Sequence, residues 1–194
     1  MGQTWFTSDS HLGHAMMASN RGFDSVEQHD AAVVRAYRKV VQDRDDVFFL
    51  GDVALGGRSD GLAKIAALPG RKHLILGNHD RAHPMNGNSH VHQAEYLAAF
   101  ASVQTFGMVR RDGLKVVMSH FPYDGEGVTR AEDEDRATQW RLRDEGLPLV
   151  HGHVHDTVRV RTSKAGSVMM HAGLDAWGLR PVTLPELLDA AGLR

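Results

Sequence analysis

The sequence predicts an α/β fold in one domain, 1–194. Short apolar runs alternate with segments of helical periodicity, the pattern of strands connected through helices. The apolar runs end repeatedly on polar residues behind glycine, as buried strands do when they deliver groups to a crevice at their C-terminal ends. With 194 residues, 42% of them apolar, the chain can bury a sizeable core without covalent staples.

The elements follow in order. A first strand, 5–7, runs into a polar, histidine-rich loop. Val26, Val33, Val34, Tyr37, Val40 and Val41 recur at spacings of three, four and seven behind a cap at Asp24 or Ser25, which predicts a helix over 25–41. The continuous apolar run 47–50 reads as a buried strand ending in Gly51-Asp52. A helix at 62–68 and a strand at 72–76 repeat the pattern, and that strand ends in Gly77-Asn78-His79-Asp80. A helix at 94–100 precedes strands at 103–110 and 114–118, the second ending at Ser119-His120. The acidic stretch 124–135, with Glu126, Glu132, Asp133, Glu134 and Asp135 against Arg130, reads as a solvated loop or as a flap over the site. Strand 147–150 ends in His151-Gly152-His153-Val154-His155, and strands 158–162 and 167–171 flank Lys164-Ala165-Gly166 as a hairpin. Thr183 and Glu186 have capping-box spacing for a last helix, 184–191, stopped by Gly192.

Composition narrows the function. The net charge of -2 provides no global field to collect duplex nucleic acid or an anionic membrane. The absence of cysteine excludes disulfides, thiolate zinc sites and thiol nucleophiles, whereas 13 histidines supply proton carriers and metal ligands. The chain opens without a basic region followed by an apolar one, and no apolar run reaches the length of a bilayer span, so a cytoplasmic protein without membrane contact is expected.

Five strand ends carry residues of metal-ligand type: Asp9-x-His11, Gly51-Asp52, Gly77-Asn78-His79-Asp80, His120 and Gly152-His153-x-His155. Strands of an alternating sheet bring such ends to one crevice. Asp9 and His11, like His153 and His155, point the same way if extended, which suits two ligands on one ion or one on each of two. The glycines before Asp52, Asn78 and His153 fit tight turns where backbone approaches an ion.

This series resembles the motifs of the calcineurin-like metallophosphoesterase superfamily, D-x-H, G-D, G-N-H-[DE], an isolated His and G-H-x-H, with no member missing between residues 9 and 155. Thr7 to His14 is similar to the T-S-D-x-H-x-G-H opening of small bacterial and phage members. The resemblance implies a four-layer α/β/β/α sandwich with two divalent transition-metal ions in one cleft. Asp9, His11 and His155 would hold one ion, Asn78, His120 and His153 the other, and Asp52 would bridge them. Such a pair activates water as hydroxide and clamps an in-line displacement at phosphorus. The mixed ligands suit Mn, Fe, Zn, Ni or Co without choosing among them, and manganese is the metal expected first. The resemblance also implies that His79 lies beside the substrate as charge stabiliser or proton donor, with Asp80 orienting its imidazole.

His14, Arg21 and Arg81 follow motif segments and are candidate substrate contacts. His151 and His171 either support ligand rings or simply pack, and His29, His73, His90 and His92 are read as surface residues. The expected protein is a metal-dependent phosphodiesterase or phosphatase. Its partner would be a small-molecule phosphate ester, with single-stranded nucleic acid or a nucleotide also open. A nuclease, or a metal-bound scaffold for protein interaction, is the alternative.

Overall fold

The computed structural model describes residues 2–127 and 136–193. Two five-stranded sheets stack face to face. In the first, β1 (Thr4–Thr7), β2 (Asp46–Phe49), β3 (Arg71–Ile75) and β4 (Ser102–Gln104) run parallel, and β10 (Val182–Thr183) pairs antiparallel with β1. In the second, β6 (Leu114–Ser119), β7 (Leu149–His151) and β9 (Val168–His171) run parallel, flanked antiparallel by β5 (Phe106–Arg111) and β8 (Val160–Thr162).

Strand β2 shows why the apolar runs form buried strands. Alternate side chains leave a strand on opposite faces. Val47 and Phe49 pack against the helices, while Phe48 and Leu50 join the core between the sheets, so both faces are covered and the run is apolar throughout. The helical layer is α2 (Val26–Arg38), α3 (Arg58–Ala66) and α4 (Gln93–Leu97), which send Val33 and Tyr37, Leu62 and Ile65, and Tyr96 into the first core. Phe6, Leu50 and Ile75 meet Val116, Met118, Val150 and Met170 between the sheets. Helix α5 (Leu184–Ala190) touches β1, β10 and β9, and Leu184, Leu187 and Leu188 complete that core. Among the described residues no helix is long and apolar enough to cross a membrane.

Three local expectations change. The single strand expected at 103–110 is two, β4 in the first sheet and β5 in the second, separated at Thr105. An apolar run carries no information about which sheet it joins. Helix α1 (Ala15–Asn20) stands where a loop is expected, because six residues are too few to display a helical period and its cap, His14, makes no side-chain capping bond. His29 is fully buried rather than on the surface.

The sheets are tied together at one end. Leu174 N–H donates to Ser8 O at 3.2 Å, and His120 Nδ1–H donates to Leu50 O at 2.7 Å. At the opposite edge the expected capping box is present. Glu186 N–H donates to Thr183 Oγ1 at 3.3 Å, and Glu186 Oε2 accepts from both Thr183 N and Oγ1 at 2.8 Å. Thr183→Ala is therefore expected to lower unfolding free energy by about 1 kcal/mol, read as a shifted urea midpoint at unchanged slope.

Candidate metal centre

The strand ends carrying the motif residues do not continue extended. Asp9 (φ 59°), His11 (43°), Asp52 (53°), His153 (74°) and His155 (49°) all adopt left-handed backbone. Non-glycine residues rarely do so, Asp, Asn and His being the most tolerant, and such residues concentrate at functional sites. The expected extended alternation is thus replaced by consecutive turns. Backbone bonds hold them: Asp9 N–H donates to Gly51 O and His11 N–H to Asp52 O, each at 3.0 Å.

The motif glycines allow close approach between segments. A Cβ on Gly77 would stand 2.3 Å from Asp52 Oδ1, and one on Gly152 would stand 1.9 Å from Ser8 Oγ. With Gly152 bare, the His153 N–H reaches across from the second sheet and donates to Asp9 Oδ2 at 3.0 Å.

Two groups of donor atoms result. In the first, Asp9, His11, Asp52 and His155 each offer a ligand atom, all within 4.8 Å of one another. His11 Nε2 and His155 Nε2 are 3.2 Å apart. In the second, Asn78 Oδ1 lies 2.9 Å from His120 Nε2 and 3.1 Å from His153 Nδ1, and the two imidazole nitrogens are 3.3 Å apart. Metal–ligand bonds of about 2.0–2.2 Å set ligand atoms on one ion roughly 3–3.5 Å apart, which these spacings approach.

Electrostatics suit a cation. Burial would raise the Asp9 carboxyl, but the surrounding imidazoles, His155 first, hold it well below the usual range. Its Oδ1 is buried and accepts no hydrogen bond. Burial, then the charges of Asp80 and Asp9, push Asp52 well above its ordinary value. Burial also depresses His11, His120 and His153, keeping these rings neutral with a lone pair to give. In His155 burial is outweighed by Asp9 and Asp175, which raise it. Carboxylates crowded against imidazoles, with Asp9 held ionised and His11, His120 and His153 held neutral, fit a divalent metal.

Further residues orient the donors. His120 is turned by its bond to Leu50 O, so Nε2 faces the centre. His153 donates from Nε2 to Glu126 Oε2 at 3.0 Å, which leaves Nδ1 free. Burial opposes ionisation of Glu126, but His153 and the neighbouring arginines bring it down to about 2. Arg141 and Arg136 hold its carboxylate. On the other side His155 Nδ1 lies 3.6 Å from Asp175 Oδ2. Arg21 grips Asp175 through two bonds of 2.8 Å, reaches Asp9 O at 2.8 Å and donates to His29 Nε2 at 3.0 Å. Such carboxylate partners fix a ligand ring and raise its basicity.

A profile of the calcineurin-like phosphoesterases matches residues 2–157. The chain belongs to this family. The phosphoesterase is 42% identical over 200 residues to the Gene 66 protein of Mycobacterium phage L5, covering 97% of the chain and 94% of the relative. It is 40% identical over 185 residues to the Gene 66 protein of Mycobacterium phage D29, covering 91% and 90%. Its fold is similar to a crystal structure of a protein of unknown function from Aquifex aeolicus, with a TM-score of 0.69 at 20% identity over 97% of this chain and 99% of that one.

The remaining motif residues of the phosphoesterase divide. His79 is 47% exposed, with Nε2 4.0 Å from Asp52 Oδ2, and it lines the metal cleft of about 480 Å³. Asp80 does not orient that ring. It is buried, and its carboxylate accepts from Gly77 N (2.8 Å), Asp52 N (3.0 Å) and Val53 N (3.2 Å), so it holds the turn that presents Asp52. His14 caps α1 with its ring 5.5 Å from that of His11 and lines the cleft. The Arg21 guanidinium is committed to Asp175, and Arg81 lies in a neighbouring hollow. His151 and His171 are buried and stacked 5.4 Å apart. Of the expected flap 124–135, residues 128–135 lie outside the described residues.

The sequence reading missed Glu126 and Asp175 as ligand supports. Glu126 was hidden among other acids, and Asp175 carries no local motif. Glu126→Gln and Asp175→Asn are each expected to weaken metal binding about 10–100-fold, measured by chelator competition on folded protein.

Proposed function

We propose that this phosphoesterase holds two divalent transition-metal ions and hydrolyses phosphodiester or phosphomonoester bonds of small or single-stranded substrates. One observation carries the reading. Asp52 Oδ2 is 3.7 Å from His11 Nε2 and 3.5 Å from His120 Nε2, so a single carboxylate oxygen belongs to both donor groups. Asp9, His11 and His155 would hold one ion and Asn78, His120 and His153 the other, with manganese the first metal to test. When bound, such a pair supplies Lewis acidity at the phosphate and lowers the pKa of the attacking water.

The chain's own residues support the rest of the chemistry. Asp80 and the bare Gly77 set the Asp52 carboxylate between the groups. Burial lowers the His79 pKa, and its ring stands neutral and half exposed at the cleft. A neutral imidazole there can donate a hydrogen bond to a phosphate oxygen as negative charge develops, whereas passing a proton to the leaving oxygen takes the imidazolium form. Asp175 and Glu126 keep His155 and His153 aimed inward. A scaffold that only bound partners would not require His79 at this position.

Metal analysis tests the bridging role. The purified protein is expected to carry two ions per chain, and Asp52→Ala to lose tight binding at both sites. A variant that retains two tightly held ions rejects the assignment. His79→Ala is expected to keep its metal while kcat falls about 10²–10⁴-fold, the usual scale for acid–base or charge-stabilising groups. If His79 protonates the leaving group, 4-nitrophenyl esters will suffer less than alkyl esters. Equal losses assign it to charge stabilisation instead.

A further inference from the structure

The arginines bordering the metal cleft, Arg21 and Arg136, are paired with Asp175 and Glu126. Arg58 and Arg81 differ. They line a second hollow of about 470 Å³, which shares Asn78 and His79 with the metal cleft. Among the described residues no carboxylate lines this hollow. Among the described residues neither guanidinium makes an ion pair or a side-chain hydrogen bond, and Arg58 Nε is buried without an acceptor. A buried donor left unpaired is costly, and a guanidinium is shaped for two-point contact with phosphate.

The walls of the hollow are built, not draped. Arg81 N–H donates to the hydroxyl of the fully buried Tyr96 at 2.9 Å. The Asn86 amide donates to Asp80 O at 2.8 Å and to Asn78 O at 3.3 Å, closing the loop behind the turn that carries Asn78 and His79. Arg58 is the first residue of α3, whose Leu62 and Ile65 anchor it in the core. An anion bound here would sit across His79 from the two donor groups.

We propose that this hollow is a subsite for a second phosphate. The substrate is then a phosphate ester bearing another phosphate group, held by Arg58 and Arg81 while the scissile phosphate occupies the metal cleft. This inference rests on the phosphoesterase reading and specifies its substrate class.

Two chromogenic esters test it: 4-nitrophenyl thymidine 5′-phosphate with and without a 3′-phosphate, which share scissile bond and leaving group. The 3′-phosphate is expected to raise kcat/KM about tenfold or more, mainly through KM, with the preference fading as salt is added. In the double variant R58A/R81A the ratio between the esters is expected to fall to near one. Arg81→Gln, at an exposed position, gives the same direction in smaller measure if the double variant is unstable. A native ratio near one, or a ratio retained in the double variant, overturns the proposal.

Calorimetry with thymidine 3′,5′-bisphosphate separates this outcome from failure of the phosphoesterase reading. Affinity is expected to weaken at least tenfold in R58A/R81A, and unchanged affinity overturns the subsite. Arginine-dependent binding without hydrolysis of either ester rejects the phosphoesterase reading and leaves the anion site standing. Inorganic phosphate that binds as tightly as the bisphosphate assigns the hollow to a free anion and overturns its role in substrate recognition.

Discussion

Two sheets must end side by side with no side chain at Gly152, and the candidate metal centre depends on that contact. At the junction, the space that a Cβ on Gly152 would need is filled by Ser8 and Asp9, and the His153 N–H bonds the Asp9 carboxylate across the gap. This bond does two things. It fixes one oxygen of Asp9 so that the other faces the donor group, and it sets the second sheet's histidines at the distance of ligands. The cores behind it, one under the helices and one between the sheets, hold the strand ends against sliding.

Strain and charge are concentrated at the same place. Five left-handed motif residues cost of order 1 kcal/mol or more each, and they persist because backbone bonds between adjacent turns over-determine them. Buried carboxylates at Asp9, Asp52 and Asp80 stand close together, and the structure answers each differently. Asp80 is satisfied by backbone N–H groups, Asp9 is held ionised by imidazoles, and Asp52 is left with its charge opposed by its neighbours. A divalent cation would relieve that opposition.

The two donor groups are supported unequally. His155 leans on Asp175 and the buried Arg21, whose guanidinium continues through His29 to Asp30 and Lys64 in the body of the protein. His153 leans on Glu126, which is tied by Arg141 and Arg136 to the loop near residue 136. The first support is rooted in the helical layer and the second in the connection between β6 and β7, where Arg141 also donates to Pro122 O and Gly125 O.

By itself the sequence determined the α/β class, the strands that end in motif residues, the capping box at Thr183 and the family through its ordered motifs. These are local properties, since periodicity, turn residues and ligand spacing are written within a few positions of one another. The tertiary structure alone decided which sheet each half of 103–110 joins, the left-handed turns at the ligands and the burial of His29. It also decided that Asp80 serves the backbone, that Arg21 is spent on Asp175 and that Arg58 and Arg81 line one hollow. Each depends on partners far apart along the chain, 154 positions for Arg21 and Asp175. A contact of that separation exists only after both sheets have packed, so no local pattern encodes it.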